Sequence, residues 1–267
     1  MPQVIDVDDP ADPRLDDYRD LTTADRRPDR PGGRGLVIAE GEVVVRRLLH
    51  SPYPIRSVLG VPGRIDALRP DLPVGLPCYR TSADVMATVV GFHLNRGVLA
   101  VADRAVQPSP DRLIADARLV AVLEGVGDHE NLGSIFRNAA GLGVGGVLLG
   151  PGCADPLYRR SVRVSMGNVL RVPFATIDVW PAALFWLRDN GFRVLALTPA
   201  ADAAPLRTAV APGRRTAVLL GAEGPGLTET ALAAADERVR IPMADDVDSL
   251  NVATAAAIAF HTLMICG

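Results

Sequence analysis

The sequence predicts an α/β protein of two folded domains, and three observations carry that prediction. Beyond residue 118, short apolar runs alternate with helical ones, as in a mostly parallel sheet buried on both faces. Around Gln107, Pro108, Ser109 and Pro110 the pattern breaks, which marks a boundary. Ahead of that break, residues 34–106 carry a smaller α/β pattern of their own, small but viable as a domain. The chain has 267 residues, 48% hydrophobic and 22% charged, a balance that folds without disulfides and is far from disorder.

Each element follows from local pattern. Residues 1–33 are rich in Pro, Asp and Gly, show no period, and hold nine Asp against five Arg; an extended or flexible acidic arm is expected. In residues 34–106, the run GEVVVRRLL suits a helix over 41–49, and 55–61 a short strand. Residues 83–90 suit a second helix and GVLAVA over 97–102 a buried strand. A Ser-Pro-Asp start then opens the larger domain, expected over 111–267. Its strands are expected at 119–123, 146–149, 172–177, 194–198, 217–220 and 239–241. Helices are expected at 135–142, 181–190 and 249–266, the last rich in alanine, with Ser249 as its N-cap.

Composition narrows the chemistry. All 28 basic residues are arginine, so Walker-A nucleotide hydrolysis and lysine Schiff-base chemistry are both excluded. Cys78, Cys153 and Cys266 lie far apart without a CxxC pair, which fits a reducing, cytoplasmic setting better than a disulfide framework. His50, His93, His129 and His261 are scattered and form no HExxH, so no metal is expected. No GxSxG elbow exists, no apolar run reaches membrane-spanning length, and the acidic N-terminal stretch is not expected to act as a targeting signal. The net charge of −3 argues against indiscriminate coating of nucleic acid. Residues 34–118, with eleven Arg against eight acids, still allow a local basic patch.

Three segments stand at strand ends, the edge where open α/β sheets bind ligands. In the first, Asn131, Gly133 and Arg137 follow a strand that ends near Glu124; otherwise Asn131 is an N-cap and Arg137 a surface residue. The second, residues 219–228 (LLGAEGPGLT), places three glycines after an apolar strand, yet it is no GxGxxG, and a structural turn explains it equally. The third runs from Ile241-Pro242-Met243 to Ser249-Leu250-Asn251-Val252 and opens the Ala-rich helix. Arg159, Arg160, Arg163 and Arg171 cluster in sequence, either as a solvated helix face or as a phosphate-contacting patch, which is preferred.

In this order the three segments closely resemble the motifs of the SpoU/TrmH family of RNA ribose 2′-O-methyltransferases. Asn131, Gly133 and Arg137 match its first motif, residues 220–227 its second, and residues 241–252 its third. The resemblance covers roughly residues 115–265. Residues 36–104, through Glu40-Gly41-Glu42 and Gly91-Phe92-His93, also look like a small L30e-like substrate-binding domain. The resemblance implies a trefoil-knotted (SPOUT) α/β domain, a homodimer through that domain, S-adenosylmethionine as cofactor and RNA as substrate, with ribosomal RNA favoured. Transfer RNA, or a non-catalytic RNA- or ribosome-binding protein of the same fold, stands as the alternative.

By resemblance, Thr198, Gly221, Ile241, Met243 and Leu250 contact the cofactor. Arg137 binds the target phosphate and hydroxyl, with Arg159, Arg160 and Arg163 adding RNA contacts. Asn131, Glu223, Ser249 and Asn251 complete the catalytic set. A guanidinium is a poor base, so Arg137 is expected to orient the ribose and stabilise charge developing on its 2′ oxygen. Two departures stand out: many members have Gly where this chain has Asp245, and Ser and Val where it has Ala253 and Thr254.

Overall fold

The computed structural model of the chain describes residues 1–21, 35–244 and 247–266. It divides into two compact units: Met1–Val106 with Leu157–Arg171, and Gln107–Pro156 with Val172–Gly267.

The small unit is built from β1 (Gln3–Asp6), β2 (Val37–Glu40), α1 (Glu42–Leu49), β3 (Ile55–Gly60), α2 (Pro62–Leu68), β4 (Pro77–Arg80), α3 (Ala83–Val90) and β5 (Val98–Ala102). Its five strands lie in the order β1-β4-β3-β5-β2, with β5 antiparallel to both neighbours. Every residue of β5 is buried, as its unbroken apolar run requires. Ser82 caps α3 by accepting from the Val85 amide, and Gly91 ends it at φ 85, a left-handed turn that favours glycine. The short elements α2 and β4 hold too few residues for a period to be legible in the sequence.

The expected acidic arm is corrected over its described part. Residues 1–21 belong to the small unit. β1 adds to the sheet beside β4 in parallel register, Gln3 opposite Pro77. A 3-10 helix over Pro13–Tyr18 then buries Leu15 and Tyr18 completely, and Leu21 follows at 4% exposure. The spacing of these three apolar residues is three, the period of a 3-10 helix. Burying Leu15 and Leu21 contributes about 1.5–3 kcal/mol each, while Asp8, Asp9 and Asp20 beside them stay exposed to water. The buried Tyr18 hydroxyl also bonds to Ser57 Oγ at 2.8 Å. Residues 22–33 of the expected arm lie outside the described residues.

The rest of the chain forms α4 (Pro110–Ile114), β6 (Leu119–Glu124), α5 (His129–Gly141), β7 (Gly146–Leu149), α6 (Arg159–Val164), β8 (Phe174–Thr176), α7 (Ala182–Asp189), β9 (Arg193–Leu197), β10 (Ala204–Pro205), β11 (Thr216–Gly221), α8 (Glu229–Ala234), β12 (Glu237–Arg240) and α9 (Val252–Cys266). Seven strands make one sheet, ordered β10-β12-β9-β11-β6-β7-β8, and neighbouring strands pair in parallel throughout. Strand β6 is followed by β7 and β8 on one side, while β9, β11 and β12 lie on the other. Such a reversal opens a crevice at the carboxyl ends of the strands.

Here α6 corrects a second expectation, an unbroken large domain over 111–267. The segment Leu157–Arg171 belongs to the small unit. Arg159 Nη1 donates to Glu40 Oε2 at 3.0 Å, with the Glu40 side chain 7% exposed. The Arg159 guanidinium also lies 4.8 Å over the Phe92 ring. Arg47 Nη1 donates to the Met166 carbonyl at 2.5 Å, and Gly167, at φ +79, lets Val44 approach so closely that a Cβ there would meet it at 3.1 Å. These contacts join residues at least 67 positions apart in sequence, beyond the reach of any local pattern.

Candidate functional site

Helix α5 buries Leu132, Ile135, Phe136 and Ala139, the i, i+3, i+4, i+7 stripe of an amphipathic helix. Arg137 lies off that stripe and is exposed, and among the described residues its guanidinium has no partner. The helix begins earlier than its apolar pattern suggests, because Asp128 caps it by accepting from the amides of Glu130 and Asn131. Asn131 is therefore not the cap, and its side chain is available for other work.

That work is visible at Asn251. Its Nδ2 donates to Asn131 Oδ1 at 2.7 Å and to Glu223 Oε1 at 2.7 Å. Its Oδ1 accepts from the amides of Ala253 and Thr254 at 3.0 and 3.2 Å, capping α9. One side chain thus joins all three motif segments. The cap is Asn251 rather than the expected Ser249, and α9 begins at Val252. A further tie runs from Asn138 Nδ2 on α5 to the Ala253 carbonyl on α9 at 2.9 Å.

Beside this node lies a cavity of about 450 Å³ at the carboxyl ends of β9, β11 and β12. Thr198, Gly221, Ile241, Met243 and Leu250, the five expected cofactor contacts, all line it, as do Glu223, Ser249 and Asn251. Leu197 and Leu220 add apolar wall. Gly221 is required by close approach: a Cβ there would stand 2.5 Å from the Gly226 carbonyl carbon and the Leu227 nitrogen. The loop after β11 folds back on itself, with the Gly226 amide donating to the Ala222 carbonyl at 3.1 Å. Volume and lining suit a small molecule with an apolar face and several polar groups. A nucleoside-bearing cofactor such as S-adenosylmethionine fits that description. Asp245, the departure in the third segment, lies outside the described residues.

Other expected site residues fall elsewhere in the fold. Arg159, Arg160 and Arg163 sit on α6 in the small unit, not on the sheet that carries Arg137. Arg159 is engaged by Glu40, and its burial, first among the causes, pulls the guanidinium below its ordinary range. Arg160 is exposed, and Arg163 half-buried. Sequence reasoning missed Glu124, buried at the end of β6 and bonded to Trp180 and Thr228. An acid closing an otherwise apolar strand is the signal that could have found it.

Comparison with known proteins adds independent findings. The model of the SpoU rRNA Methylase family matches residues 118–261. A protein of Mycobacterium tuberculosis, named an uncharacterized tRNA/rRNA methyltransferase, is 60% identical over 261 residues, 97% of this chain and 91% of its own length. The 23S rRNA (guanosine(2553)-2′-O)-methyltransferase RlmP of Bacillus subtilis is 30% identical over 227 residues, 85% of this chain and 87% of that one. Among solved structures, the AdoMet-bound rRNA methyltransferase from Sinorhizobium meliloti superposes with a TM-score of 0.82 at 25% identity, covering 97% of each chain.

Proposed function

The chain belongs to the SpoU rRNA methylase family, and from that membership we propose that it methylates a ribose 2′-OH of RNA, ribosomal RNA before transfer RNA. It is an S-adenosylmethionine-dependent RNA methyltransferase. The single observation that carries the assignment of its site is the Asn251 node, which ties Asn131 to Glu223, with Asn251 and Glu223 both lining the 450 Å³ cavity.

When bound, the cofactor supplies an electrophilic methyl group. The protein's task is to hold a weak nucleophile in line with it, and positioning of that kind accounts for a large part of such rate enhancements. The cavity wall at Gly221, Ile241 and Leu250 holds the cofactor, with Thr198 and Met243 beside it. Arg137 grips the ribose–phosphate and stabilises negative charge developing on the 2′ oxygen. Asn131, Glu223, Ser249 and Asn251 keep the three loops in register.

The small unit is the RNA-reading module, L30e-like in its role, and Arg160 and Arg163 add phosphate contacts from α6. The chain works as a homodimer through its large unit. Among the described residues no helix is long and apolar enough to cross a membrane. The free thiols of Cys78 and Cys153 suit a reducing compartment, and the cytoplasm is the location proposed. The test is transfer of a labelled methyl group from S-adenosylmethionine to RNA, with 2′-O-methyl mapping in a strain lacking the gene. Ribosomal RNA that keeps every 2′-O-methyl group in that strain would defeat the ribosomal assignment.

A further inference from the structure

Glu124 does not itself line the cavity and makes no bond to Asn251, yet its side chain is held by three hydrogen bonds. It is 5% exposed and ends β6 directly opposite Gly221 in the β6–β11 register. Its carboxylate accepts three hydrogen bonds: the Trp180 indole N–H at 2.6 Å, the Thr228 hydroxyl at 2.7 Å and the Thr228 amide at 2.9 Å. A buried carboxylate is costly unless bonded in this way, and an apolar residue would fill the same space without that cost.

What the carboxylate holds is the far end of a loop. Thr228 caps α8, its hydroxyl accepting from the Ala231 amide while donating to Glu124. Between Gly221 and Thr228 lie Gly224 and Gly226, at φ +85 and +71, two glycines whose backbone adopts many conformations unless held. That stretch carries Glu223, the partner of Asn251, and forms one wall of the cavity. Strand pairing of β11 fixes one end of the loop, and Glu124 fixes the other.

We infer that Glu124 is a positioning residue for the cofactor loop: through Thr228 it holds residues 222–227, and with them Glu223, in the geometry that receives S-adenosylmethionine. The inference rests on the cofactor reading of the cavity. Trp180 donates to the same carboxylate oxygen as the Thr228 hydroxyl and has no hydrogen bond to the loop among the described residues.

The test uses the full chain and two measurements. Glu124→Gln keeps the volume but turns one acceptor into a donor that must face Thr228 or Trp180. Calorimetry with S-adenosylmethionine should find affinity reduced about tenfold or more, the scale of one lost charge-assisted hydrogen bond. In the ligand-free chain, the amides of residues 222–228 other than Pro225 should exchange hydrogen about tenfold faster while those of β6 keep their protection. Thr228→Val should reproduce both effects, and it reads the same anchor if Glu124→Gln fails to fold. Thr228→Ser, which keeps the hydroxyl, should bring affinity back to within about threefold. The kinetic loss should fall in KM for the cofactor rather than in kcat.

Trp180→Phe removes the third donor alone; it should lower the melting temperature yet leave affinity within about threefold. Parental affinity and loop exchange in Glu124→Gln, or an equal affinity loss in Trp180→Phe, would overturn the inference and leave Glu124 a stabilising residue only. If the unsubstituted chain bound no cofactor, the cofactor reading would fall and this inference with it. Fast loop exchange in Glu124→Gln would then still mark Glu124 as an anchor of the loop.

Discussion

Asn251 uses its whole hydrogen-bonding capacity at one point, two bonds accepted from the start of α9 and two donated to Asn131 and Glu223. Asn251→Asp separates the two functions. The remaining oxygen still caps α9, so the melting temperature should stay near parental. The other oxygen cannot donate and repels Glu223, so methyl transfer should fall by ~10² through misplacement of the loops. A circular-dichroism melt beside a labelled-methyl assay reads both. Arg137 stands differently, exposed and unpartnered among the described residues. Arg137→Ala should therefore leave cofactor affinity and stability unchanged while cutting transfer by ~10²–10³. Arg137→Lys should rescue poorly, because an ammonium keeps the charge but not the fork. Near-normal transfer by Arg137→Ala would return Arg137 to the role of a surface arginine. Neither described thiol competes for the chemistry. Burial pushes Cys78 up to about 11 and also raises Cys153, so both remain protonated at neutral pH.

At the scale of elements, the site is made where β11 stops. Leu220 and Gly221 end the strand, and the chain turns back so tightly that no side chain fits at Gly221. Gly221→Ala must shift backbone rather than a flexible side chain, an overpacking cost of about 1–3 kcal/mol. The expected outcome is a lower melting temperature and cofactor affinity reduced about tenfold, measured by calorimetry. Helices α5 and α9 were legible from their apolar patterns, but not where they begin. Asp128 and Asn251 start them because those side chains reach the right amides, whereas Ser249 is an equally good capping residue by type alone. The 3-10 helix at Pro13–Tyr18 escaped for a related reason. Its apolar residues recur every third position amid aspartates, too short a run to outweigh an acidic composition.

For the molecule as a whole, charge is divided unequally. The small unit, with Leu157–Arg171 included, holds eighteen arginines against fifteen acids, net +3; the large unit holds ten against sixteen, net −6. Leu157–Arg171 brings four arginines and no acid. A polyanion should therefore be drawn to the small unit. The double charge reversal Arg160→Glu with Arg163→Glu should weaken RNA binding and make its salt dependence shallower, by up to about two in the log–log slope, with cofactor affinity untouched. Unchanged salt dependence would count against α6 as an RNA contact. Helix α9 also leaves Ile258 37% and Met264 46% exposed. Two-fold pairing would cover exposed apolar side chains of this kind, and light scattering at micromolar concentration should give about twice 28.2 kDa. A monomer active on RNA would refute the dimer.

The amino-acid sequence by itself determined the α/β class, the break near Gln107, the positions of the main buried strands along the chain and the identity of the motif residues, because these depend on local periodicity and on residue type. Tertiary structure alone decided three things. It carried Leu157–Arg171 into the small unit through the Arg159–Glu40 pair, drew residues 1–21 onto that unit's sheet, and brought Asn131, Glu223 and Asn251 to one point. Each of these rests on contacts between residues far apart along the chain. Their energy comes from burial and from satisfying polar groups that burial would otherwise strand, and no local pattern records which distant partner will do so.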